Sequence, residues 1–226
     1  MIKYYLIIAY MPFLNTILDI VFPRYCIGCK TSKADFCEQC LSLCPGPERE
    51  SPKWVFPLFD YRYPAIKKAV WLIKYKGKKR LVNIFAEILY GRIIEELSEL
   101  IVMENFQEPI IVPIPLSKKR QKERGFNQAE LLCEKIMEID ENKYLRMEKN
   151  ILLKPKETEH QALIKDRSKR LKNLAGTFQL KNEERLKGRN IILIDDVTTT
   201  GATLNEARKI LKKAGARKII AFTIAH

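Results

Sequence analysis

Histidine is scarce in this chain, with only His160 and His226 among 226 residues. A catalytic or metal site built on several histidines is therefore poorly supported. Long uninterrupted apolar runs are also missing. The one candidate, residues 1–22, is broken by Pro12 and Asp19, and no small-residue cleavage site follows it. We therefore expect no secretion signal and no stable membrane insertion, and we expect a cytoplasmic protein.

Acidic residues are outnumbered, with 27 Asp and Glu against 41 Lys and Arg, which gives a formal net charge of +14. This imbalance favours polyanionic partners such as nucleic acid or phosphorylated small molecules. A solvated, lysine-rich surface is the alternative interpretation. The hydrophobic share of 46% is high enough for a packed core and argues against wholesale disorder.

Residues 61–80 contain no acidic residue, and tyrosines and a tryptophan are interleaved with the cations. Cationic side chains that follow a phosphate backbone, with aromatic faces on which bases stack, are typical of single-stranded nucleic-acid binding. The alternative is a helix with Trp71 buried and its lysines in water. The candidate nucleic-acid residues are Lys67, Lys68, Trp71, Lys74, Lys76, Lys78, Lys79 and Arg80.

Five of the six cysteines lie within residues 26–44, and clustering without an export signal favours a metal over disulfides. Two CxxC knuckles separated by a short loop supply four thiolates, which suits a structural, tetrahedral Zn²⁺. Cys44 follows as a replacement ligand or a bystander. The predicted zinc ligands form a C-x₂-C-x₇-C-x₂-C pattern and are Cys26, Cys29, Cys37 and Cys40.

A proline-rich and charged run, Cys44–Pro52, marks a domain boundary. We predict that residues 1–50 form an N-terminal helix, over residues 13–22, followed by a small zinc-ribbon-like module, and that 51–226 form a larger domain. Translation can start at Met1 or at Met11. In the larger domain strand and helix patterns alternate, which predicts an open, mainly parallel α/β sheet with helices on both faces.

The predicted strands of the larger domain are short and mostly apolar. They cover residues 54–62, as one limb of a hairpin, and 109–115, 151–153, 177–180, 189–194 and 218–224. The predicted helices show apolar residues at the spacing of one face. They cover residues 64–75, 81–100, 125–139 and 201–214, and residues 161–174 are expected to be either helical or mobile.

The most specific motif is IILIDDVTTTGAT, Ile191–Thr203, in which a strand delivers two acids and a hydroxyl-rich turn opens a helix. Backbone amides at a helix N-terminus favour a phosphate. Carboxylates beside such a turn would repel phosphate but accept hydrogen bonds from vicinal ribose hydroxyls. The order of strand, diacid, turn and helix therefore predicts a site for a ribose 5-phosphate. A purely structural turn with capping threonines is the alternative.

A basic run, Ser117–Arg124, follows the predicted strand at 109–115. Its position after the carboxyl end of a strand favours anion binding, because Arg clasps phosphate in a bidentate manner and Lys adds a point charge. A solvated basic run at the start of a helix is the alternative.

The sequence DDVTTTGAT is similar to the phosphoribosyl-pyrophosphate signature of type I phosphoribosyltransferases. The chain also resembles the ComF family of competence proteins in most of its length. The stretches that carry this resemblance are CIGC, CEQC, YRYPAIKKAVWLIKYKGKKR, IIVPIPLSKKRQKERGFNQAELL and HQALIKDRSKRLKNLAGTF.

The resemblance implies a binding site for phosphoribosyl pyrophosphate with Mg²⁺. Asp195 and Asp196 would hold the ribose hydroxyls and stabilise charge at the anomeric carbon during catalysis. The 5-phosphate would lie on Val197, Thr198, Thr199, Thr200, Gly201, Ala202 and Thr203. Pyrophosphate would face the turn at 113–117, near Lys118, Lys119 and Arg120. Further family positions are Arg124, Gly125, Asn127, Gln128, Gln161, Arg170 and Asn173.

The resemblance also implies handling of single-stranded DNA during uptake and natural transformation, together with a helicase partner. An active phosphoribosyltransferase with an unidentified acceptor is the alternative, since no acceptor-base pocket is recognisable in the sequence. His160 departs from the family pattern, where a small residue is expected, and we assign it no role.

Overall fold

A computed structural model describes residues 24–155 and 176–226 of the chain. The chain divides into two compact units, one ending at Cys44 and the other beginning at Pro45. The helices predicted over residues 13–22 and 161–174 lie outside the described residues, as do His160, Gln161, Arg170 and Asn173. None of the helices in the described ranges has the length and apolar character needed to cross a bilayer.

The smaller unit, over residues 24–44, consists of turns and one short helix. A bridge between Tyr25 and Ser32 closes the first turn, and α1 spans Glu38–Ser42. Among residues 24–44 the buried side chains are those of Cys26 and Phe36. Because so small a core contributes little hydrophobic stabilisation, we expect the fold of residues 24–44 to depend on bonds in addition to apolar packing.

The larger unit is built on a sheet of five strands. These are β1 (Val55–Phe59), β2 (Ile110–Pro113), β3 (Arg146–Met147), β6 (Asn190–Val197) and β7 (Lys218–Ala225). Their spatial order is β1-β7-β6-β2-β3, and every neighbouring pair is parallel. A separate antiparallel pair joins β4 (Leu152–Leu153) to β5 (Gln179–Leu180). The predicted open, mainly parallel α/β sheet is confirmed.

The helices of the larger unit are α2 (Pro64–Lys76), α3 (Lys79–Glu104), α4 (Lys118–Arg124), α5 (Gln128–Ile139) and α6 (Ala202–Lys213), with a 3₁₀ turn at Glu183–Leu186. Pro64 occupies the first turn of α2, where its missing N–H costs no hydrogen bond. Gly77 ends α2 in the left-handed conformation. Local residue choice therefore sets both ends of this helix.

Helices pack on both faces of the sheet, as predicted. On one face, Val55 of β1 and Leu193 of β6 share a buried cluster with Leu204 of α6. On the other, Phe56 stacks on Phe222 of β7 with centroids 5.1 Å apart, and the Arg92 guanidinium of α3 lies 6.0 Å from the Phe56 ring. Because β6 is covered on both sides, its sequence is a continuous apolar run rather than an alternating one.

The structure corrects the prediction for residues 54–62. β1 pairs in parallel with β7, with Val55 opposite Ala221, so the interpretation as a hairpin limb is wrong. A parallel partner distant in sequence leaves no signal near the strand itself. The two-residue strand β3 was not predicted, because it is too short to show a period.

Helix boundaries also shift. The helix predicted over residues 81–100 extends from Lys79 to Glu104. The helix predicted from residue 125 begins at Gln128, because Gly125 ends α4 with φ 79° and the Asn127 side chain caps α5. These differences are a few residues at each end and leave the architecture unchanged.

Candidate functional site

Three parallel strands end at one edge of the sheet and bring their following residues together. β1 leads into Tyr61, β2 leads into Pro115, and β6 carries Asp195 and Asp196 near its end. β6 lies between β7 and β2, so the chain order reverses beside it, which is where open α/β sheets bind ligands. A cavity of about 310 Å³ lies at this edge and is lined by residues from all three segments.

Paired carboxylates line this cavity. Asp195 is half-buried and Asp196 is 7% exposed. The Asp196 N–H donates a hydrogen bond to Asp195 Oδ1 over 2.8 Å. Lys74 Nζ, from α2, lies 3.0 Å from Asp196 Oδ1. The structure thus places Lys74, which we grouped with the candidate nucleic-acid residues, in an ion pair with the diacid.

The diacid and Lys74 have perturbed acidities. Burial raises the pKa of Asp195 to about 7, and the neighbouring Asp196 charge adds to this, while Lys74 acts in the opposite direction. Burial lowers the pKa of Lys74, but attraction to Asp196 and their hydrogen bond outweigh it, so this pKa is raised. Near neutral pH Lys74 is therefore charged, whereas Asp195 can gain or lose a proton.

The hydroxyl-rich turn, residues 197–203, stands between β6 and α6. Gly201 has φ 71°, which a side chain rarely tolerates, and a Cβ there would lie 3.3 Å from Asn205 Nδ2. Within the described ranges, the amides of Thr199, Thr200 and Gly201 have no hydrogen-bond partner. These amides, at the positive end of α6, are available to an anion such as a phosphate. We call this segment the phosphate loop.

The phosphate loop is attached to the end of β7. The Thr198 N–H donates to the Ala225 carbonyl over 3.0 Å. His226 Nε2 lies 2.9 Å from the Thr199 carbonyl oxygen, and Nδ1 lies 2.9 Å from Ser51 Oγ. Because a carbonyl only accepts, Nε2 is the donor to Thr199. Our sequence prediction missed His226 as a support of the loop, since it is remote from the loop along the chain.

Charged side chains give the cavity a positive balance, with four cations and two carboxylates among the described residues that line it. Arg120 of α4, for which the sequence predicts an anion contact, lines the cavity. Lys118, at the start of the same helix, is exposed and is not among the lining residues. The cations that line the cavity are Lys74, Arg120, Arg124 and Lys154.

The turn between α4 and α5 adds polar groups. Asn127 Nδ2 donates to the Ile114 carbonyl over 3.0 Å, which ties this turn to the residue after β2. Arg124 Nη1 donates to Gln128 Oε1 over 2.8 Å. Gln128 is 1% exposed and lines the cavity, and its Nε2 has no partner in the part of the chain that the structure describes. A buried donor of this kind favours a ligand with an acceptor.

Several lining residues were not predicted as site residues, among them Tyr61, Tyr75 and Lys154. Lys154 is 7% exposed, and its Nζ lies 5.4 Å from the Phe178 ring centroid. A single lysine after a two-residue strand carries no recognisable motif. Only packing of distant segments shows that this cation belongs to the cavity.

The basic segment, residues 61–80, contributes to the cavity through α2. Trp71 is 48% exposed, so the alternative of a buried Trp71 does not hold. Its ring centroid lies 5.7 Å from that of Tyr75, which is 51% exposed. The remaining candidates of the segment are exposed and do not line the cavity, namely Lys67, Lys68, Lys76, Lys78, Lys79 and Arg80.

Four cysteines form a second candidate site, in the smaller unit. Their sulfur atoms all lie within 4.8 Å of one another, and all are free thiols. A tetrahedron with Zn–S bonds of 2.3 Å requires S–S separations of about 3.8 Å, so the set fits such an ion. A Cβ on Gly28 would lie 2.8 Å from Cys40 Sγ, so glycine is required there. The predicted ligand set, Cys26, Cys29, Cys37 and Cys40, can hold a metal ion.

The four thiols differ in acidity, and hydrogen bonds with Cys29 and Cys37 raise the pKa of Cys40 to about 12. A hydrogen bond with the Thr31 side chain, followed by one with its backbone, lowers the pKa of Cys29 to about 6. The thiolate is the form that binds a metal. Cys44 hydrogen-bonds to the Cys40 carbonyl over 3.3 Å and lies outside the four-sulfur set.

Comparisons with known proteins agree with this geometry. The family model described as "Phosphoribosyl transferase domain" matches residues 127–226, which include the diacid and the phosphate loop. Competence protein ComFC of Bacillus subtilis is 30% identical over 89% of this chain and 83% of its own length. Competence protein ComFC of Streptococcus pneumoniae is 33% identical over 88% of this chain and 79% of its own.

A solved structure, hypoxanthine phosphoribosyl transferase of Trypanosoma cruzi, is 13% identical with a TM-score of 0.39. The matched region covers 63% of this chain and 63% of the Trypanosoma cruzi chain. This likeness is too weak to support a conclusion.

Proposed function

This chain belongs to the ComFC family of competence proteins, and on that premise we propose that it binds phosphoribosyl pyrophosphate and single-stranded DNA during DNA uptake. The observation that carries the proposal is a single cavity that combines a diacid, a phosphate loop and several cations. A role in the cytoplasm beside a DNA-uptake helicase fits this function and is part of the proposal.

The sugar ester matches the chemistry of the cavity in three places. Its 5-phosphate accepts hydrogen bonds from the amides of the phosphate loop. Its ribose hydroxyls donate to Asp195 and Asp196, the carboxylates that line the cavity in the described part of the chain. Its pyrophosphate lies toward Arg120 and Lys154, and Mg²⁺ accompanies it and neutralises part of its charge.

DNA binding is supported by the exposed cations and aromatic rings of residues 61–80. Lys67, Lys76 and Lys78 are exposed and can follow a phosphate backbone. Trp71 and Tyr75 present faces on which bases can stack. In the smaller unit, we propose that Zn²⁺ occupies the four-cysteine site in a structural role, because four protein thiolates leave no open coordination position.

Phosphoribosyl transfer is a second candidate function, favoured by the two carboxylates of β6. An acceptor would attack the anomeric carbon, the bond from that carbon to the pyrophosphate oxygen would break, and pyrophosphate would leave with the bonding electrons. Asp195 and Asp196 would stabilise the positive charge that develops on the sugar. Release of pyrophosphate in the presence of candidate bases tests this function, and release no faster than without protein would exclude it for those bases.

Calorimetry with Mg²⁺ and phosphoribosyl pyrophosphate tests the binding proposal. We expect saturable binding to the natural chain and a loss of about a hundredfold in affinity for Asp195→Asn with Asp196→Asn, since two charge-assisted hydrogen bonds are removed. Glu87→Gln, an exposed position of α3, is the matched control and should bind normally. Equal binding by all three proteins would refute the assignment of the diacid.

Titration of a labelled oligothymidine at several salt concentrations tests the DNA proposal. We expect affinity to fall steeply with salt, and Lys67→Gln with Lys68→Gln to weaken binding. Lys209→Gln, exposed on α6 and outside the cavity, controls for net charge. The absence of any binding at low salt would contradict this part of the proposal.

A further inference from the structure

We infer that an unpaired base of a DNA strand enters the same cavity as the sugar ester, against Trp71 and Tyr75, so that the two ligands exclude each other. This inference rests on the proposed function, from which both ligands are taken. It adds a shared subsite and a direction of coupling: the sugar ester displaces DNA, and DNA displaces the sugar ester.

The aromatic pair, Trp71 and Tyr75, lies both on the exposed surface and in the lining of the cavity. Trp71 and Tyr75 are about half exposed, at 48% and 51%, and both line the cavity that holds Asp195 and Asp196. Their ring centroids are 5.7 Å apart with planes inclined by 42°, so they form a stepped surface rather than a closed stack. A planar ring that stacks here therefore lies at the cavity and not on a remote part of the surface.

The register of α2 connects this pair to the backbone of a bound strand. Lys67, Trp71, Lys74 and Tyr75 recur at the spacing of one helix face. Lys67 is exposed, whereas Lys74 is paired with Asp196 inside the cavity. A strand whose phosphates follow the exposed cation would present its base to the aromatic pair, in the direction of the diacid.

The polar groups near the pair suit either ligand. Arg124 lies 5.3 Å from the Tyr75 ring centroid and donates to Gln128 Oε1. Gln128 Nε2 is buried without a partner among the described residues. The ring carbonyls of a pyrimidine and the phosphate oxygens of the sugar ester are both acceptors for these donors. The same groups therefore recognise whichever ligand is bound.

Shared donors make the two ligands compete. The cavity has a volume of about 310 Å³, which is at the lower end of the range of roughly 300–1,000 Å³ for small-molecule sites. A base of the strand that accepts from Arg124 and Gln128 would take the donors that the sugar ester needs. Because coupling between two ligands is reciprocal, each must weaken the other by the same factor.

Competition for the cavity must be separated from simple charge repulsion, since both ligands are polyanions. An abasic strand of the same length keeps the phosphates and lacks the rings, so it reports repulsion alone. Inorganic pyrophosphate with Mg²⁺ adds charge without a sugar. Trp54→Phe leaves Trp71 as the single tryptophan of the chain, whose emission then reports on the shared subsite.

The experiment measures the affinity of the Trp54→Phe protein for labelled oligothymidine and for the abasic strand, with Mg²⁺ and increasing phosphoribosyl pyrophosphate. We expect a loss of about tenfold for oligothymidine, the value of one stacked base, and less than about twofold for the abasic strand. Oligothymidine should quench Trp71, and the sugar ester should restore the emission. Trp71→Ala should lower the affinity for oligothymidine to that for the abasic strand. Lys209→Gln should leave the affinity for oligothymidine unchanged.

Two results would overturn the inference alone: oligothymidine affinity that does not change when calorimetry shows the sugar ester bound, or equal displacement of both strands. A protein that binds only one of the two ligands, or neither, would instead refute the proposed function, and the inference with it. The two failures are thus distinguishable within one set of titrations.

Discussion

The four-cysteine site suits a cation and the phosphate loop suits an anion, and the two have very different structural supports. The cysteines surround a cation site in a unit whose buried side chains, within residues 24–44, are Cys26 and Phe36. The phosphate loop is carried by β6 and α6, which are packed into the main core. We therefore expect the first site to need its ligand in order to fold, and the second to keep its shape without one.

The largest expected effect is therefore at the cysteines. Cys40→Ser should abolish metal binding and leave residues 24–44 sensitive to protease, because a structural Zn²⁺ contributes on the order of 10 kcal/mol to such a fold. The larger unit, residues 45–226, should keep its thermal transition. Metal analysis and limited proteolysis check both statements.

Cys44→Ser is the matched control for this prediction. Cys44 lies outside the four-sulfur set, so this variant should retain one equivalent of metal and resist protease. If chelation leaves residues 24–44 protected, the contrast between the two sites is wrong.

The next effect concerns Lys154, in the cavity. Lys154→Met keeps the length of the side chain and removes the charge, so affinity for Mg²⁺ and phosphoribosyl pyrophosphate should fall by about tenfold. The thermal transition should change little, since a buried cation is replaced by an apolar group. Calorimetry and thermal melting measure the two quantities, and unchanged affinity would remove Lys154 from the site.

Glycine substitutions compare loop and scaffold directly. Gly201→Ala imposes a side chain at φ 71° and should reduce sugar-ester affinity by about fivefold, through roughly 1 kcal/mol of strain in the loop. Gly91→Ala lies within α3, where a Cβ meets no atom within 4 Å, and should raise stability by about 0.5–1 kcal/mol. Equal behaviour of the two variants in binding and melting would show that the loop is not specially constrained.

The last prediction concerns pH and Asp195. Its folded pKa of about 7 lies above its ordinary value of 3.8, so between these values the folded chain binds more protons than the unfolded chain. Stability must then fall as pH rises through this window. From pH 5 to pH 8 the natural chain should lose about 1–2 kcal/mol relative to Asp195→Asn, since partial exposure reduces the full effect.

Urea unfolding of both proteins at each pH measures this difference. If the difference in free energy of unfolding between the natural chain and Asp195→Asn stays constant with pH, the charged form of Asp195 is not destabilised by the fold. The surroundings of the phosphate loop would then carry no more electrostatic strain than the rest of the larger unit.

The parts of this structure that sequence predicts are those whose cause is local. The apolar run of β6, the diacid and the turn that follows are contiguous, so one segment contains the entire signal. The two CxxC knuckles are likewise close together, and their spacing alone predicts four converging sulfurs. Both predictions depend on residues within a few positions of one another.

The parts that sequence did not predict arise from packing between distant segments. Lys74 was assigned to the nucleic-acid surface by its neighbours in sequence, yet it pairs with Asp196 more than a hundred residues away. Lys154 and His226 carry no motif, and β1 finds a parallel partner at the far end of the chain. The hydrophobic pattern of a sequence determines which faces of its helices and strands are buried. It does not determine which distant side chain contacts a given charged group.

The ion pair between Lys74 and Asp196 has a consequence for how the cavity fills. An ammonium on a side chain acts as a tethered counter-ion, so one carboxylate is neutralised before any solute arrives. A ligand that displaces it releases no free ion into solution, unlike a strand of DNA, which sheds its condensed cations as it binds. The contribution of the diacid to sugar binding should therefore respond only weakly to ionic strength, even where attachment of a strand responds strongly.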